Sequence, residues 1–150
     1  MDHPRHILVV SCLVRNAQGD ILLVRHRKRG WELPQGRVEE GEGLLAALHR
    51  EVLEETGVTI MAPVAAAVWS KLTAPAALIH GFVAEYAAGT PIPSAETPEV
   101  AWLPEAEARN RIEHPVNRDR LANLLSFDDR IRFYRYTTKP YRRLPDTSPS

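Results

Sequence analysis

Residues 36–58 read GRVEEGEGLLAALHREVLEETGV and hold six glutamates in 23 positions. The segment predicts an amphipathic helix, because its apolar residues recur with a period of about 3.6 residues. We expect the helix to begin after an N-cap at or near Gly43 and to end at Gly57, which stands where a C′ glycine commonly closes a helix. The apolar positions expected to face the core are Leu44, Leu45, Leu48 and Val52.

The glutamates of this helix lie beside its apolar face rather than opposite it. With Leu44 at zero and ~100° per residue, the other apolar positions fall between about 40° and 100°. On the same scale Glu51 falls at about 340°, Glu55 at about 20° and Glu54 at about 280°. Carboxylates at the border of a buried face lose water and repel one another, so a hard divalent cation such as Mg²⁺ or Mn²⁺ is a natural compensating charge. A solvated surface helix is the alternative that the helix alone leaves open.

The segment resembles the Nudix box, the signature of the Nudix hydrolases, written G-x5-E-x7-R-E-U-x-E-E-x-G-U with U a bulky aliphatic residue. The resemblance implies a Nudix-type α/β fold, an α/β/α sandwich with a mixed β-sheet. It also implies hydrolysis of a nucleoside diphosphate linked to another group X, with Mg²⁺ or Mn²⁺ as cofactor. Every defined position of the box is met, by Gly36, Glu42, Arg50, Glu51, Val52, Glu54, Glu55, Gly57 and Val58.

The resemblance assigns metal binding to the carboxylates of the box. It implies that Glu51, Glu54 and Glu55 bind the cation and that the backbone carbonyl of Gly36 adds a further ligand. Glu51 is either a ligand or the general base, and the box leaves that choice open. Glu54 and Glu51 are therefore expected to be catalytic residues as well as ligands.

Supporting and additional catalytic roles follow from the same resemblance. Arg50 is expected to orient the glutamates, and Glu42 to support the start of the helix. Glu96, in the stretch SAETPEV, lies where some family members carry an extra catalytic or metal-binding glutamate. Glu99 or an ordinary solvated loop acid are the alternatives at that place.

The loops outside the box are expected to select the group X. Gln35 in WELPQG stands where many family members have glycine, and this form is similar to the branch that acts on RNA 5′ ends and dinucleoside polyphosphates. Arg37 departs from that branch, which usually has a second glycine there. Arg27 lies in a basic run that either contacts polyphosphate or is solvated. We predict Gln35, Arg37 and Arg27 as substrate-binding residues.

Strand-like and helix-like patterns interleave along the chain and indicate one layered α/β domain. A bend is expected near Pro63, because proline interrupts strand pairing. The predicted strands are 6–15, 20–26, 58–70, 77–88 and 100–104, and the predicted helices after the box helix are 104–112 and 117–125.

The predicted Nudix hydrolase domain covers residues 1–129, and residues 130–150 form a basic and aromatic C-terminal tail. Basic and aromatic side chains together suit phosphate binding with base stacking. Docking of the aromatic residues onto the domain or onto a second subunit is the favoured alternative. The end of the tail is expected to be disordered from about Pro145.

The overall composition excludes some classes of function. Formal net charge is +0 and the pI is about 7.0, so no whole-molecule field favours nucleic acid or membrane. Cys12 is the single cysteine, which rules out an intrachain disulfide and a cysteine-based zinc site. The apolar stretches are shorter than the ~20 residues of a membrane span, and we expect a cytoplasmic protein.

The preferred interpretation is a metal-dependent pyrophosphohydrolase that acts on nucleoside triphosphates or dinucleoside polyphosphates. RNA 5′ ends come next as substrates, and ADP-ribose or nucleotide sugars third. A Nudix module that senses a nucleotide without cleaving it is the alternative from another class, but such modules often lose box carboxylates and this chain keeps them. Homodimerisation is left open.

Overall fold

A computed structural model describes residues 2–145, which form nine strands and three helices. The helices are α1 (Leu44–Thr56), α2 (Glu105–Arg111) and α3 (Pro115–Leu125). The strands are β1 (Ile7–Arg15), β2 (Ile21–His26), β3 (Gly30–Glu32), β4 (Gln35–Arg37), β5 (Val58–Lys71), β6 (Ala77–Gly89), β7 (Glu99–Leu103), β8 (Arg132–Thr137) and β9 (Arg142–Leu144).

All nine strands of the described residues belong to one mixed sheet. The main path is β3-β2-β1-β6-β5-β8-β9, while β4 pairs with β1 and β7 pairs with β2. The central strand β1 is parallel to β6 and antiparallel to β2 and β4. Each face of the sheet has its own buried cluster, one packed against α1 and the other against α2 and α3. The predicted α/β/α sandwich with a mixed sheet is therefore confirmed.

The box helix α1 has the predicted ends. Gly43 is the N-cap, and Gly57 closes the helix in the left-handed region at φ 78°, with its N–H donating to the Leu53 carbonyl at 2.9 Å. Leu48 is buried as expected, but Leu45 is 52% exposed, so its assignment to the core face was wrong. Val52 and Thr56, which flank Leu45 in the helical projection, are buried in the second half of α1, so the exposure of Leu45 comes from its place in the first turn.

The bend expected near Pro63 is a set of irregularities inside one long strand. β5 continues through Pro63, and its register with β6 shifts between Met61 and Val64. Ala62 has a φ of 51° in this stretch. An extra residue in one strand is the usual cause of such a local kink.

The chain after residue 129 continues the sheet. β8 pairs in parallel with β5, and β9 pairs with β8 as the second strand of a hairpin. Tyr134 of β8 stacks on Trp69 of β5, with ring centroids 5.9 Å apart, and Tyr136 is buried. The predicted disorder from about Pro145 falls on residues 146–150, which lie outside the described residues.

The single cysteine is buried, and the helices of the described residues are too short or too polar to span a membrane. Cys12 is a free, fully buried residue of the core that faces α1. Burial raises the pKa of its thiol, as expected for a packing residue. None of the helices within residues 2–145 has the length and apolar character needed to cross a membrane.

We predict that Gly57→Ala lowers the free energy of unfolding by more than Gly19→Ala does. Both glycines have a φ of about 80°, where an L-residue costs roughly 1–2 kcal/mol. A Cβ at Gly57 would also lie 2.7 Å from the Thr90 carbonyl oxygen, whereas a Cβ at Gly19 meets nothing within 4 Å. Urea denaturation of both variants measures the difference. Equal losses would show that the contact at Thr90 relaxes freely.

Candidate active site

The C-terminal half of α1 lies against the short strand β4, and the contact requires a glycine. A Cβ built at Gly36 would lie 2.0 Å from the carboxyl carbon of Glu51, so the Glu51 carboxylate occupies the space that any other residue would fill. Gly36 is held in place because it pairs with Val10 of the central strand β1. The sheet and the helix thus bring one box carboxylate onto the backbone of β4.

Arg50 is the counter-charge of the box. Its guanidinium donates to both oxygens of Glu42, at 2.7 and 2.9 Å, and to Glu51 at 2.8 Å. An ion pair with Glu54 is present at a longer 3.3 Å, and a further bond reaches the Arg37 carbonyl at 3.1 Å. The hydrogen bond from Arg50 lowers the pKa of Glu42 to about 2. Arg50 therefore joins the loop before α1 to the helix itself.

Glu55 is the buried carboxyl group of the site. It is 7% exposed and accepts the backbone N–H of Gln35 at 2.7 Å. Burial raises the pKa of Glu55 to about 8, and the hydrogen bond from Gln35 opposes this shift only in part. Burial likewise raises the pKa of Glu51, with the hydrogen bond from Arg50 opposing it. Within residues 2–145 no cation is hydrogen-bonded to the Glu55 carboxylate, whereas Glu51 shares Arg50 with Glu42 and Glu54.

The residues of the box fit a hard divalent cation in their chemistry. Glu51, Glu54 and Glu55 offer oxygen atoms, the ligands that Mg²⁺ and Mn²⁺ prefer. The fit is supported by Gly36, whose missing side chain lets the Glu51 carboxylate lie on the backbone. As the side chains stand, no three acidic or histidine residues of the described chain converge on one point. Arg50 holds two of the carboxylates instead.

The loop between β6 and β7 carries the predicted catalytic residue Glu96, whose side chain is exposed. No hydrogen bond or ion pair found within residues 2–145 joins its carboxylate to the box glutamates. The loop is fastened by Thr97, whose hydroxyl donates to the Glu55 carbonyl at 2.9 Å. Glu99, the alternative, pairs with Arg25 at the edge of the sheet.

The predicted substrate-binding residues lie in three different environments. Arg37 is exposed next to Gly36. Arg27 donates from its guanidinium to the Ala95 carbonyl at 2.6 Å, so it fastens the loop that carries Glu96. Gln35 points its side chain toward the face of α3, and the structure brings only its backbone N–H to the box glutamates.

A buried polar network on the other face of the sheet was missed by the sequence analysis. Its centre is Glu32, which is fully buried and accepts two hydrogen bonds from Arg29, at 2.8 and 2.9 Å. The side chains of Gln35 and Asn117 also donate to Glu32, at 3.3 and 3.2 Å. Arg120, 5% exposed, donates to the side-chain oxygen of Gln35 at 2.6 Å.

Arg120 also connects this network to the C-terminal hairpin. Its guanidinium lies 5.3 Å from the ring centroid of Trp69, the residue on which Tyr134 stacks. Burial lowers the pKa of Arg120, and the neighbouring Tyr136 hydroxyl and Glu32 carboxylate oppose that shift. The hairpin therefore contributes to the surroundings of the residues that support Gln35.

Comparison with known proteins identifies the family of this chain. A family model described as the NUDIX domain matches residues 5–125. The chain belongs to the Nudix family. The structure of a mutator MutT protein from Bacillus halodurans superposes with a TM-score of 0.80 over 95% of this chain and 99% of that one, at 24% identity. A MutT protein from Methanosarcina mazei superposes with a TM-score of 0.64 over 83% and 96% of the two chains, at 27% identity.

Curated relatives match this Nudix chain over the box and its surroundings. An RNA pyrophosphohydrolase of Caulobacter vibrioides is 41% identical over 63 residues, which cover 39% of this chain and 37% of that protein. An 8-oxo-dGDP phosphatase of Danio rerio is 43% identical over 54 residues, which cover 33% of this chain and 17% of that protein. The match thus spans well under two thirds of either relative.

The missed residues of this Nudix domain left a partial signal in the sequence. Asn117 and Arg120 share the spacing of Leu121 and Leu124, so two polar residues lie on the apolar stripe of α3. Polar residues on a buried stripe need partners, which is a signal of an internal network. Glu32, between Trp31 and Leu33, is a charged residue in an apolar context of the same kind.

We predict that Glu42→Gln has a lower free energy of unfolding than the wild type at pH 7 and that this difference shrinks in acid. The pKa of Glu42 is lowered to about 2 in the folded chain, so its stabilising effect is fully present above the ordinary value near 4.5 and disappears as the pH falls toward 2. Urea denaturation between pH 7 and pH 3 should show the variant less stable at pH 7 and the difference shrinking below pH 4.5. Glu40→Gln, in the exposed loop, serves as control. A pH-independent difference would contradict the ion pair with Arg50.

We predict that Arg120→Met lowers the free energy of unfolding by about 3 kcal/mol, because it removes one member of a buried charged network and leaves the others unpaired. Arg118→Met, on the exposed side of the same helix, should change it by less than about 0.5 kcal/mol. Urea denaturation at pH 7 measures both variants. Similar values would show that Glu32 and Gln35 do not depend on Arg120.

Proposed function

We propose that this protein is a divalent-metal-dependent hydrolase that cleaves the pyrophosphate bond of a nucleoside diphosphate linked to another group. The observation that carries the proposal is the placement of the Glu51 carboxylate on the backbone of Gly36, beside the buried carboxyl group of Glu55. A buried carboxylate without a bonded cation, as at Glu55, is unfavourable unless a ligand supplies positive charge, and the single guanidinium of Arg50 is shared by three other glutamates. Membership of the Nudix family supports the same activity.

The box residues have distinct parts in this proposal. Glu51, Glu54 and Glu55, with the carbonyl of Gly36, would hold Mg²⁺ or Mn²⁺. A divalent cation supplies Lewis acidity toward phosphate oxygens and makes water a better nucleophile. Glu55 is kept in register with β4 by its bond to the Gln35 N–H. Glu51 would serve either as a ligand or as the general base. Glu96 would serve as an additional catalytic or metal-binding carboxylate.

Arg50 has a positioning role in the same proposal. In the structure it pairs with Glu51 and Glu54, and its bidentate bond with Glu42 anchors it outside the carboxylate cluster. The anchor at Glu42 would keep the guanidinium beside the helix with a cation bound, where it would continue to orient Glu51. Arg37 is the exposed cation nearest in sequence to Gly36 and is the best placed of the predicted substrate-binding residues to contact polyphosphate.

Nucleoside triphosphates or dinucleoside polyphosphates are the preferred substrates. An RNA 5′ end is the second candidate, supported by the relatives named RNA pyrophosphohydrolase, which match over the box. Gln35 lies in the stretch that is similar to this branch, but its side chain is hydrogen-bonded to Glu32 and Arg120. We therefore propose that Gln35 acts by positioning Glu55 through its backbone rather than by contacting the substrate.

We predict that Glu54→Gln and Glu55→Gln each lower kcat on the order of 10²-fold or more, because each removes a charged ligand of the cation. Circular dichroism should show an unchanged fold, since a glutamine oxygen at position 55 can still accept the Gln35 N–H. Glu40→Gln serves as the matched control and should keep its activity. Full activity in both site variants would refute the proposed metal site.

We predict that product analysis with Mg²⁺ reveals cleavage of one substrate class and that EDTA abolishes it. The panel contains nucleoside triphosphates, diadenosine polyphosphates, ADP-ribose and a 5′-triphosphorylated RNA, each with the Glu55→Gln variant alongside. Cleavage of the mononucleotide or dinucleotide class supports the preferred proposal, and cleavage of the RNA alone supports the second. Metal-dependent binding without any cleavage would indicate a nucleotide sensor.

A further inference from the structure

The face of the sheet that packs against α1 is only partly covered by that helix. α1 covers the side chains of Val10, Cys12 and Phe82 in one buried cluster. Beyond that cluster the same face is open to solvent, with Leu8 37% and Phe133 58% exposed. We call this surface the open face; it consists of Leu8, Val68, Ser70, Leu78, His80, Phe133 and Arg135.

The strand register connects the open face directly to the candidate active site. Gly36 pairs with Val10, Val10 with His80, His80 with Val68, and Val68 with Phe133. Paired residues of neighbouring strands point to the same side of a sheet. The row therefore crosses four strand spacings of about 4.8 Å, and Phe133 lies about 19 Å from the glycine on which Glu51 rests.

A second row runs beside the first and ends at a cation. Leu8 pairs with Leu78, Leu78 with Ser70, and Ser70 with Arg135. The open face thus begins at the carboxylates of α1, continues over small and apolar side chains and a histidine, and ends at an exposed aromatic ring and an arginine. Apolar platforms with aromatic rings and neighbouring cations are the surfaces on which unpaired bases stack.

The charge of the C-terminal hairpin supports a polyanionic ligand. Residues 130–145 contain five arginines, one lysine and no acidic residue, within a chain whose formal net charge is +0. Arg135 and Arg142 have the strand parity of Phe133, whereas Arg132 pairs with Asp128 and Arg143 with Asp119 on the opposite side. Two of the hairpin arginines therefore lie at the far end of the open face. Phosphates of a nucleic acid backbone are attracted by such a local concentration even when the whole molecule is neutral.

Packing of the hairpin does not account for Phe133. The hairpin packs through aromatic rings on the opposite face, where Tyr134 stacks on Trp69 and Tyr136 contacts Tyr141. Strand pairing with β5 satisfies the backbone of β8 along Arg132–Tyr136. The large exposed ring of Phe133 takes no part in these aromatic contacts.

We propose that the open face binds single-stranded RNA, with Phe133 stacking on a base and Arg135 contacting the backbone. The inference rests on the proposed function and deepens its second substrate candidate, since the 5′ end of the RNA would lie at the carboxylates of α1 while the following nucleotides cross toward the hairpin. Single-stranded RNA with a 5′ triphosphate combines negative charge, the π faces of unpaired bases and a 5′ pyrophosphate bond.

The test measures binding without chemistry. A 12-nucleotide unstructured RNA with a 5′ monophosphate and a 3′ fluorescent label is titrated with the full chain in EDTA, and fluorescence anisotropy gives the Kd. Phe133→Leu keeps an apolar side chain and removes the ring, and should weaken binding at least about fivefold. Arg135→Gln should lower the slope of log K against log salt by about 0.7, the value for one contact with a single-stranded backbone.

Matched controls are available on the other face of the sheet. Phe127→Leu removes an aromatic ring beside α3, and Arg109→Gln removes an exposed arginine of α2; both should leave the Kd unchanged. Thermal unfolding of all four variants checks the fold, which matters for Arg135 because its guanidinium donates to the Pro145 carbonyl at 2.9 Å. The Phe133 ring is 58% exposed and forms no hydrogen bond, so its variant keeps the test decisive if Arg135→Gln unfolds.

Each outcome separates this inference from the proposed hydrolase activity. Weaker RNA binding by Phe133→Leu, with unchanged kcat and KM on a mononucleotide substrate, supports the open face. Equal RNA binding by the wild type and Phe133→Leu overturns it, whatever the activity of the enzyme. Tighter binding of a DNA strand of the same sequence overturns the assignment to RNA. Sedimentation that shows a dimer dissociated by Phe133→Leu would mean that a second copy of the chain occupies the face.

Discussion

The contact between the carboxylates of α1 and the backbone of β4 is the constraint on which the rest of the structure depends. Glu51 lies where a Cβ of residue 36 would be, and Glu55 accepts the N–H of Gln35. Both contacts require that β4 pair with the central strand and that α1 pack on the same face. A helix that presents acidic groups to a sheet in this way is tolerated only if positive charge is supplied.

The chain supplies part of this positive charge from three arginines. Arg50 serves the exposed side of the box, where it joins Glu42 to Glu51. Arg29 and Arg120 surround the network of Glu32 on the other face of the sheet. None of these three arginines forms a hydrogen bond with Glu55. Burial is therefore the main cause of the raised pKa of Glu55. The remaining requirement is the charge that we assign to a divalent cation.

The C-terminal hairpin links the site to the surface proposed for RNA. On one face Trp69 and Tyr136 approach Arg120, which holds the side chain of Gln35. On the opposite face Phe133 and Arg135 continue the rows that start beside Gly36 and Leu8. A segment outside the residues matched by the family model therefore contributes to both faces of the sheet.

The local sequence determined the helix, its ends and the grouping of its glutamates, because the apolar period and the glycine at position 57 act within a few residues of the chain. The same pattern indicated that Glu55 borders the buried face, as the structure confirms. It did not reveal Glu32, Asn117 and Arg120, since they meet only when β3 and α3 pack on one sheet, 85 residues apart for Glu32 and Asn117. The direction in which Gln35 and Phe133 point was likewise decided by strand register, because pairing with a distant strand determines which face of the sheet a side chain occupies.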